Sequence, residues 1–180
     1  MTSPAADAEK TTLKGPGFPE FVALIAMMMA LNALAIDSML PALPAIGQAL
    51  GVVSDNSRQW VITAYLLGFG VAQIVYGPLA DRFGRKPVLT VGIGLYVAFS
   101  LLAAFAPTFE TLILARIGTG LGAAATRVLA VSIVRDRYSG RTMARVMSLS
   151  FLVFLAVPIL APTMGQLILL VAPWRWIFGV

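Results

Sequence analysis

Long apolar runs separated by short polar segments constrain this chain more than any other feature of its sequence. A helix that crosses a bilayer needs about 20 largely apolar residues, and five runs approach or exceed that length before a sixth begins near residue 174. The five runs cover residues 18–41, 60–79, 88–105, 112–134 and 147–172. The sequence therefore predicts an all-α integral membrane protein surrounded by a lipid bilayer.

The composition supports this prediction and argues against several classes of function. Charged residues make up 12% of the chain and hydrophobic residues 59%, whereas soluble domains carry about 25% charged residues. The chain contains no cysteine and no histidine, which removes thiol chemistry and the commonest general base and metal ligand. The basic residues are divided among short segments, so nucleic acid is not an expected partner. We expect no enzyme activity, no metal site and no bound cofactor.

Positive charge indicates the orientation of the predicted helices. Residues 1–17 are polar, and we expect them to form a disordered cytoplasmic tail. With that tail inside the cell, the outer segments hold only Arg58 and Arg175. The inner segments then hold nine basic residues, namely Lys10, Lys14, Arg82, Arg85, Lys86, Arg135, Arg137, Arg141 and Arg145. Because cytoplasmic segments are enriched in Lys and Arg, we predict a multi-pass protein with a cytoplasmic amino terminus.

A compact charged segment, GPLADRFGRKP at residues 77–87, lies between the second and third runs. Its charges cannot lie in hydrocarbon, so we expect a tight aqueous loop that joins two membrane helices. Gly77 and Gly84 allow sharp turns or a close approach of backbones. Pro87 is expected to begin the next helix, where a missing N–H costs nothing.

This segment resembles the signature loop of the major facilitator superfamily, whose pattern G-x-L-a-D-R-x-G-R-K is matched at every position. The superfamily fold has about twelve helices, and this chain has room for about half of them. The resemblance therefore implies the amino-terminal six-helix half of that fold, with the sixth helix truncated and a carboxyl-terminal half as its missing partner. It also implies a cytoplasmic gating latch between the two halves, formed by Gly77, Asp81, Arg82, Gly84, Arg85, Lys86 and Arg135.

Ionisable side chains inside the apolar runs are candidates for coupling chemistry. Such residues are costly in a membrane and usually face a bundle interior or a water-filled cavity. Asp37 lies in the first run with Asn32, and it precedes Pro41 and Pro44, which break or bend helices. One interpretation makes Asp37 a proton or substrate site. The other makes it an interfacial carboxylate that reaches the lipid headgroups.

Arg116 and Arg127 both lie in the fourth run. Eleven residues correspond to three helical turns plus about 20°, so these arginines share a face with Gly120 and Ala123 that we expect to line a cavity. Arg116 belongs to a segment similar to a second superfamily motif, l-x-x-x-R-x-x-q-G-x-g-a-A, with Thr119 in place of glutamine. The resemblance implies that this arginine takes part in proton coupling. Snorkelling of either arginine toward the headgroups is the alternative.

Glycines and prolines mark the places where we expect close packing or kinks of the helices. Gly118 and Gly122 are spaced as a small-xxx-small pair, and Pro162 and Gly165 resemble part of an antiporter motif, g-x-x-x-G-P-x-x-G-G. Other glycines of that motif are replaced here, so this resemblance is incomplete. The residues expected to pack or kink helices are Pro41, Pro44, Gly118, Gly120, Gly122, Pro162 and Gly165.

Four segments in order resemble the bicyclomycin and multidrug resistance (Bcr/CflA) branch of the drug:proton antiporters. They begin at Asp37, Tyr76, Arg135 and Ala161. This resemblance implies efflux of a hydrophobic small molecule across a bacterial inner membrane, driven by the proton gradient. Two alternatives remain: a superfamily transporter of a small metabolite, and an inactive half-transporter that needs its carboxyl-terminal half.

Overall fold

A computed structural model describes residues 17–52 and 54–179, and five helices in these ranges are long and apolar enough to cross a membrane. The predicted all-α membrane fold is confirmed. The predicted tail, apart from Gly17, lies outside the described residues. The helices are α1 (Phe18–Asp37), α2 (Leu43–Ala49), α3 (Asp55–Arg58), α4 (Trp60–Phe83), α5 (Arg85–Ala104), α6 (Phe109–Arg137) and α7 (Gly140–Val171), and two 3-10 helices cover Leu40–Ala42 and Trp174–Gly179.

Helix α1 ends before the apolar run does. The run was expected to continue to residue 41, whereas the helix stops at Asp37 and a 3-10 turn carries Pro41. A proline ring clashes with the carbonyl four residues earlier, which is that of Asp37 in this case. Pro44 then lies in the first turn of α2, where a proline is well tolerated. The two prolines therefore turn the chain at this end of the bundle.

The other helices extend further than their apolar runs at the basic end of the bundle. Helix α4 continues to Phe83 and α5 begins at Arg85, so the expected aqueous loop is reduced to Gly84, whose φ is 88°. Pro87 is therefore the third residue of α5 rather than its first. Apolar residues mark only the part of a helix that lies in lipid, whereas backbone hydrogen bonding continues into the polar headgroup region.

Helix α6 occupies the centre of the bundle. It packs against α4, α5 and α1, and α7 packs mainly against α1. One cluster of buried apolar residues lies toward the basic end and includes Phe21, Ile25, Met29, Leu129 and Val134. A second lies toward the opposite end and includes Met39, Ile46, Val61, Leu112 and Trp174.

Large apolar side chains cover much of the outer surface of the bundle. Ile74 on α4, Leu101 on α5 and Leu170 on α7 are among the exposed residues. A soluble monomer rarely exposes an apolar surface of this extent, whereas lipid or another membrane helix satisfies it. The protein is therefore a multi-pass membrane protein. The predicted start of a sixth helix is a 3-10 helix here, and its Trp174 and Ile177 are buried.

Candidate functional site

The Arg116 guanidinium is buried near the end of the bundle where α1 ends. The residue is 2% exposed. Its Nη2 donates a hydrogen bond to the carbonyl of Ala35 at 3.1 Å, and its Nε donates to the carbonyl of Val61 at 3.4 Å. The last four carbonyls of a helix lack partners within that helix, and Ala35 lies in the last turn of α1. Arg116 therefore satisfies a carbonyl at the negative end of the α1 dipole.

Aromatic rings cover the same guanidinium. Its carbon lies 4.6 Å from the centre of the Tyr65 ring and 5.8 Å from that of Phe178, which is within the range of cation–π attraction. The Tyr65 hydroxyl donates to Oδ1 of Asn32 at 2.6 Å. Arg116, Tyr65 and Asn32 thus form one connected group, here called the arginine cluster. Sequence reasoning named Asn32 and Arg116 but missed Tyr65, which carries no charge and lies in an apolar run.

Thr119 was expected to help line the coupling site. Its Oγ1 donates instead to the carbonyl of Arg116 at 2.9 Å, one turn back on the same helix, and the residue is fully buried. Short hydroxyl side chains readily bond to the carbonyl three or four residues earlier. In this structure the Thr119 hydroxyl is therefore hydrogen-bonded to the backbone of its own helix.

Asp37 is the last residue of α1 and is half-buried. No hydrogen bond or ion pair joins its carboxylate to another of the described residues. Arg116 reaches the carbonyl of Ala35, two residues earlier. The carboxylate and the guanidinium thus lie at the same end of the bundle without forming an ion pair.

Arg127 is half-buried, and its guanidinium lies 5.7 Å from the Phe154 ring of α7. The face of α6 that was expected to line one cavity contacts different helices along its length. Gly120 lies against the backbone of α4, whereas Ala123 lines a cavity of about 160 Å³ together with α5 residues. Eleven helical residues span about 16 Å, so side chains on one face meet different helices along the length of α6.

The glycines of α6 lie where neighbouring helices approach most closely. A Cβ on Gly120 would collide with the Tyr65 carbonyl, and one on Gly122 would collide with the backbone of α5. A Cβ on Gly118 would overlap the Phe99 ring. Gly165 on α7 lies against the turn that follows α1, and Pro162 lies within α7. These contacts bring Arg116 close enough to reach the carbonyls of α1 and α4.

A charge cluster joins three helices at the opposite, basic end. Arg85 donates from Nη1 to Asp81 Oδ1 at 2.7 Å and from Nε to Asp136 Oδ2 at 2.9 Å. These residues belong to α5, α4 and α6. Exposed ion pairs contribute about 0–1 kcal/mol to stability, so the cluster mainly sets the relative position of the helix ends. Asp136 was not among the predicted site residues, although it lies in a segment used for the family resemblance.

The remaining latch residues lie around this cluster in different ways. Gly77 and Arg135 line a cavity of about 540 Å³ together with the three residues of the cluster. The Arg82 guanidinium lies 5.3 Å from the Phe83 ring, and Lys86 is exposed. The structure therefore groups Gly77 and Arg135 with the Arg85 ion pairs but leaves Arg82 and Lys86 at the surface.

Comparison with known proteins extends these observations. The chain is 39% identical over 143 residues to multidrug resistance protein MdtL of Klebsiella pneumoniae (strain 342), covering 79% of this chain and 36% of that protein. It is 37% identical over 159 residues to the uncharacterized MFS-type transporter YdgK of Bacillus subtilis (strain 168), and this match covers 87% of this chain and 39% of that protein. The multidrug resistance protein MdtL of Shewanella oneidensis is 36% identical to this chain over 143 residues. That match covers 79% of this chain and 36% of the MdtL protein.

The chain therefore spans little more than a third of the length of these relatives. Residues 25–180 match the family described as Major Facilitator Superfamily. The match includes all of the arginine cluster and the whole charged segment around Arg85. Together with the five membrane-spanning helices, it confirms the family that the signature segment indicated. The chain belongs to the Major Facilitator Superfamily.

Proposed function

We propose that this chain is the amino-terminal bundle of a transporter that expels hydrophobic drugs in exchange for protons. Two relatives that cover most of this chain carry the name multidrug resistance protein, which supports drugs as the substrate class. The observation that carries the coupling proposal is the buried Arg116, whose guanidinium bonds to the carbonyl of Ala35, two residues before Asp37 in the last turn of α1.

The proposed coupling uses Asp37 as the proton carrier. In the described residues its carboxyl group has no partner, so it is available to bind a proton or a substrate group. Arg116 supplies a fixed positive charge at the same end of the bundle, because a guanidinium keeps its proton under ordinary conditions. Movement of α1 relative to α6 would change the distance between the two charges, and that change would favour proton uptake on one side of the membrane and release on the other.

The orientation proposed for the bundle follows from its two ends. Among the described residues, one end holds seven basic side chains, Arg82, Arg85, Lys86, Arg135, Arg137, Arg141 and Arg145, and the other holds Arg58 and Arg175. Because basic residues are retained in the cytoplasm, we place the first end and the amino terminus inside a bacterial cell, with the protein in the inner membrane. The Arg85 cluster then lies where a cytoplasmic gate toward a carboxyl-terminal half would form.

The proposal is tested with the full-length transporter in inverted membrane vesicles that have been acidified inside. We expect a transported hydrophobic drug to release protons from the vesicles, because each exchange moves protons outward as the drug enters. A panel of small metabolites is expected to release none. Collapse of the proton gradient should also abolish resistance in cells. Resistance that survives this collapse, or proton release by metabolites alone, would contradict drug:proton antiport.

A further inference from the structure

A basic groove lies at the surface between the first residue of α1 and the first turns of α7. Its walls are Phe18, Arg141, Thr142 and Arg145, and its volume is about 360 Å³. Arg141 and Arg145 are four residues apart, so they lie one turn apart on the same side of α7. Both are exposed in the first two turns of α7, and because charged side chains are costly in hydrocarbon, we place them at the level of the polar headgroups.

The two groove arginines have no carboxylate partner among the described residues. Within residues 17–52 and 54–179, the acidic groups at this end of the bundle are already engaged. Arg85 bonds to both Asp81 and Asp136, and Glu20 accepts a hydrogen bond from the backbone of Gly17. Two neighbouring guanidinium groups repel each other, so the groove favours an external anion.

The Phe18 ring forms the side of the groove near α1. The Arg145 guanidinium lies 5.6 Å from the centre of the Phe18 ring, and Phe18 meets Tyr138 edge to face at 6.2 Å. This contact holds the arginine near the bundle surface. Leu152, two turns further along the same side of α7 and 64% exposed, offers an apolar surface on the membrane side. The groove thus presents cations at headgroup depth and apolar surface beyond them.

We propose that this groove binds the phosphate of an anionic glycerophospholipid, with Arg141 and Arg145 contacting the phosphodiester oxygens and Thr142 donating a further hydrogen bond. Guanidinium groups bind phosphate strongly because their N–H groups match its oxygens. Basic pockets beside membrane helices are known positions for anionic headgroups such as that of cardiolipin. An acyl chain of the same lipid would lie along the apolar surface near Leu152. This proposal does not depend on the transported substrate.

The test uses the purified protein in nanodiscs of phosphatidylcholine with a small fraction of cardiolipin, and native mass spectrometry measures the lipid that stays bound. The double variant R141Q/R145Q loses both charge-assisted contacts to the phosphate, so it should retain cardiolipin at least about tenfold more weakly. The variant R141K/R145K keeps the charge and is expected to retain most of the binding.

The matched control is R82Q/K86Q, which removes two exposed basic residues from the same end of the bundle but outside the groove. It should change cardiolipin retention by less than about twofold, since neither residue lines the groove that would hold the phosphate. Equal losses in the two double variants would overturn the proposal in favour of general surface charge. Displacement of cardiolipin by inorganic phosphate, or equal retention of phosphatidylcholine, would also overturn it, because the ligand would then not be an anionic lipid.

Discussion

Replacement of Asp37 by asparagine in the full-length transporter is expected to abolish proton-driven drug efflux. Asparagine has the same shape as aspartate but cannot bind and release a proton. Asp37 is half-buried at the end of α1, and it has no hydrogen-bond or ion-pair partner among the described residues whose loss would itself disturb the fold. The loss should therefore appear in transport and not in folding.

Proton release from inverted vesicles on addition of drug measures this effect. The D37N protein should be expressed and inserted at the level of the unchanged protein while releasing no protons above background. The variant D37E keeps a titratable group and is expected to retain part of the activity. Full proton-coupled transport by D37N would remove Asp37 from the mechanism and leave it as an interfacial carboxylate.

Substitution of Gly120 by valine is expected to produce a large loss of stability. A Cβ at this position would overlap the Tyr65 carbonyl and approach the Phe69 amide, which are backbone groups of α4 and cannot move aside as a side chain could. Overpacking of a close contact costs typically 1–3 kcal/mol and occasionally more. Because α4 and α6 must separate to admit the side chain, we expect a loss of about 3 kcal/mol or failure to form the bundle.

Thermal unfolding of the detergent-solubilised protein measures this loss, and Gly94 provides a matched control. Gly94 lies within the apolar helix α5, and nothing lies within 4 Å of the position that its Cβ would occupy. The G94V variant should therefore stay within about 0.5 kcal/mol of the unchanged protein. Similar unfolding of the two variants would show that α6 does not approach α4 as closely as the structure has it.

The membrane helices could be predicted from the sequence because the requirement that creates them is local. A segment in hydrocarbon must satisfy its own backbone groups, so an apolar run of sufficient length becomes a helix. The helix ends could not be predicted as well. Residues such as Asp81 and Arg85 continue the helices in the headgroup region, where apolar character no longer marks them.

The candidate site was predictable only in part. Arg116 could be identified because a cation in an apolar run must face the interior of the bundle and not the lipid. The glycines that follow it in the same helix also marked the segment as one of close helix packing. The groups that surround its guanidinium could not be identified. The Tyr65 ring and the Ala35 carbonyl belong to other helices, and no local sequence pattern specifies how those helices pack against α6. The same applies to Arg85, whose partner Asp136 lies 51 residues away.

The membrane orientation underlies the proposed coupling, and cysteine labelling tests it most directly. The chain contains no cysteine, so one introduced thiol reports its own position. Asn56 in α3 and Ser139 between α6 and α7 are exposed at opposite ends of the bundle. With an impermeant maleimide on intact cells, N56C should be labelled and S139C should react only after the membrane is permeabilised. Labelling of S139C in intact cells would place the basic end outside and contradict the account.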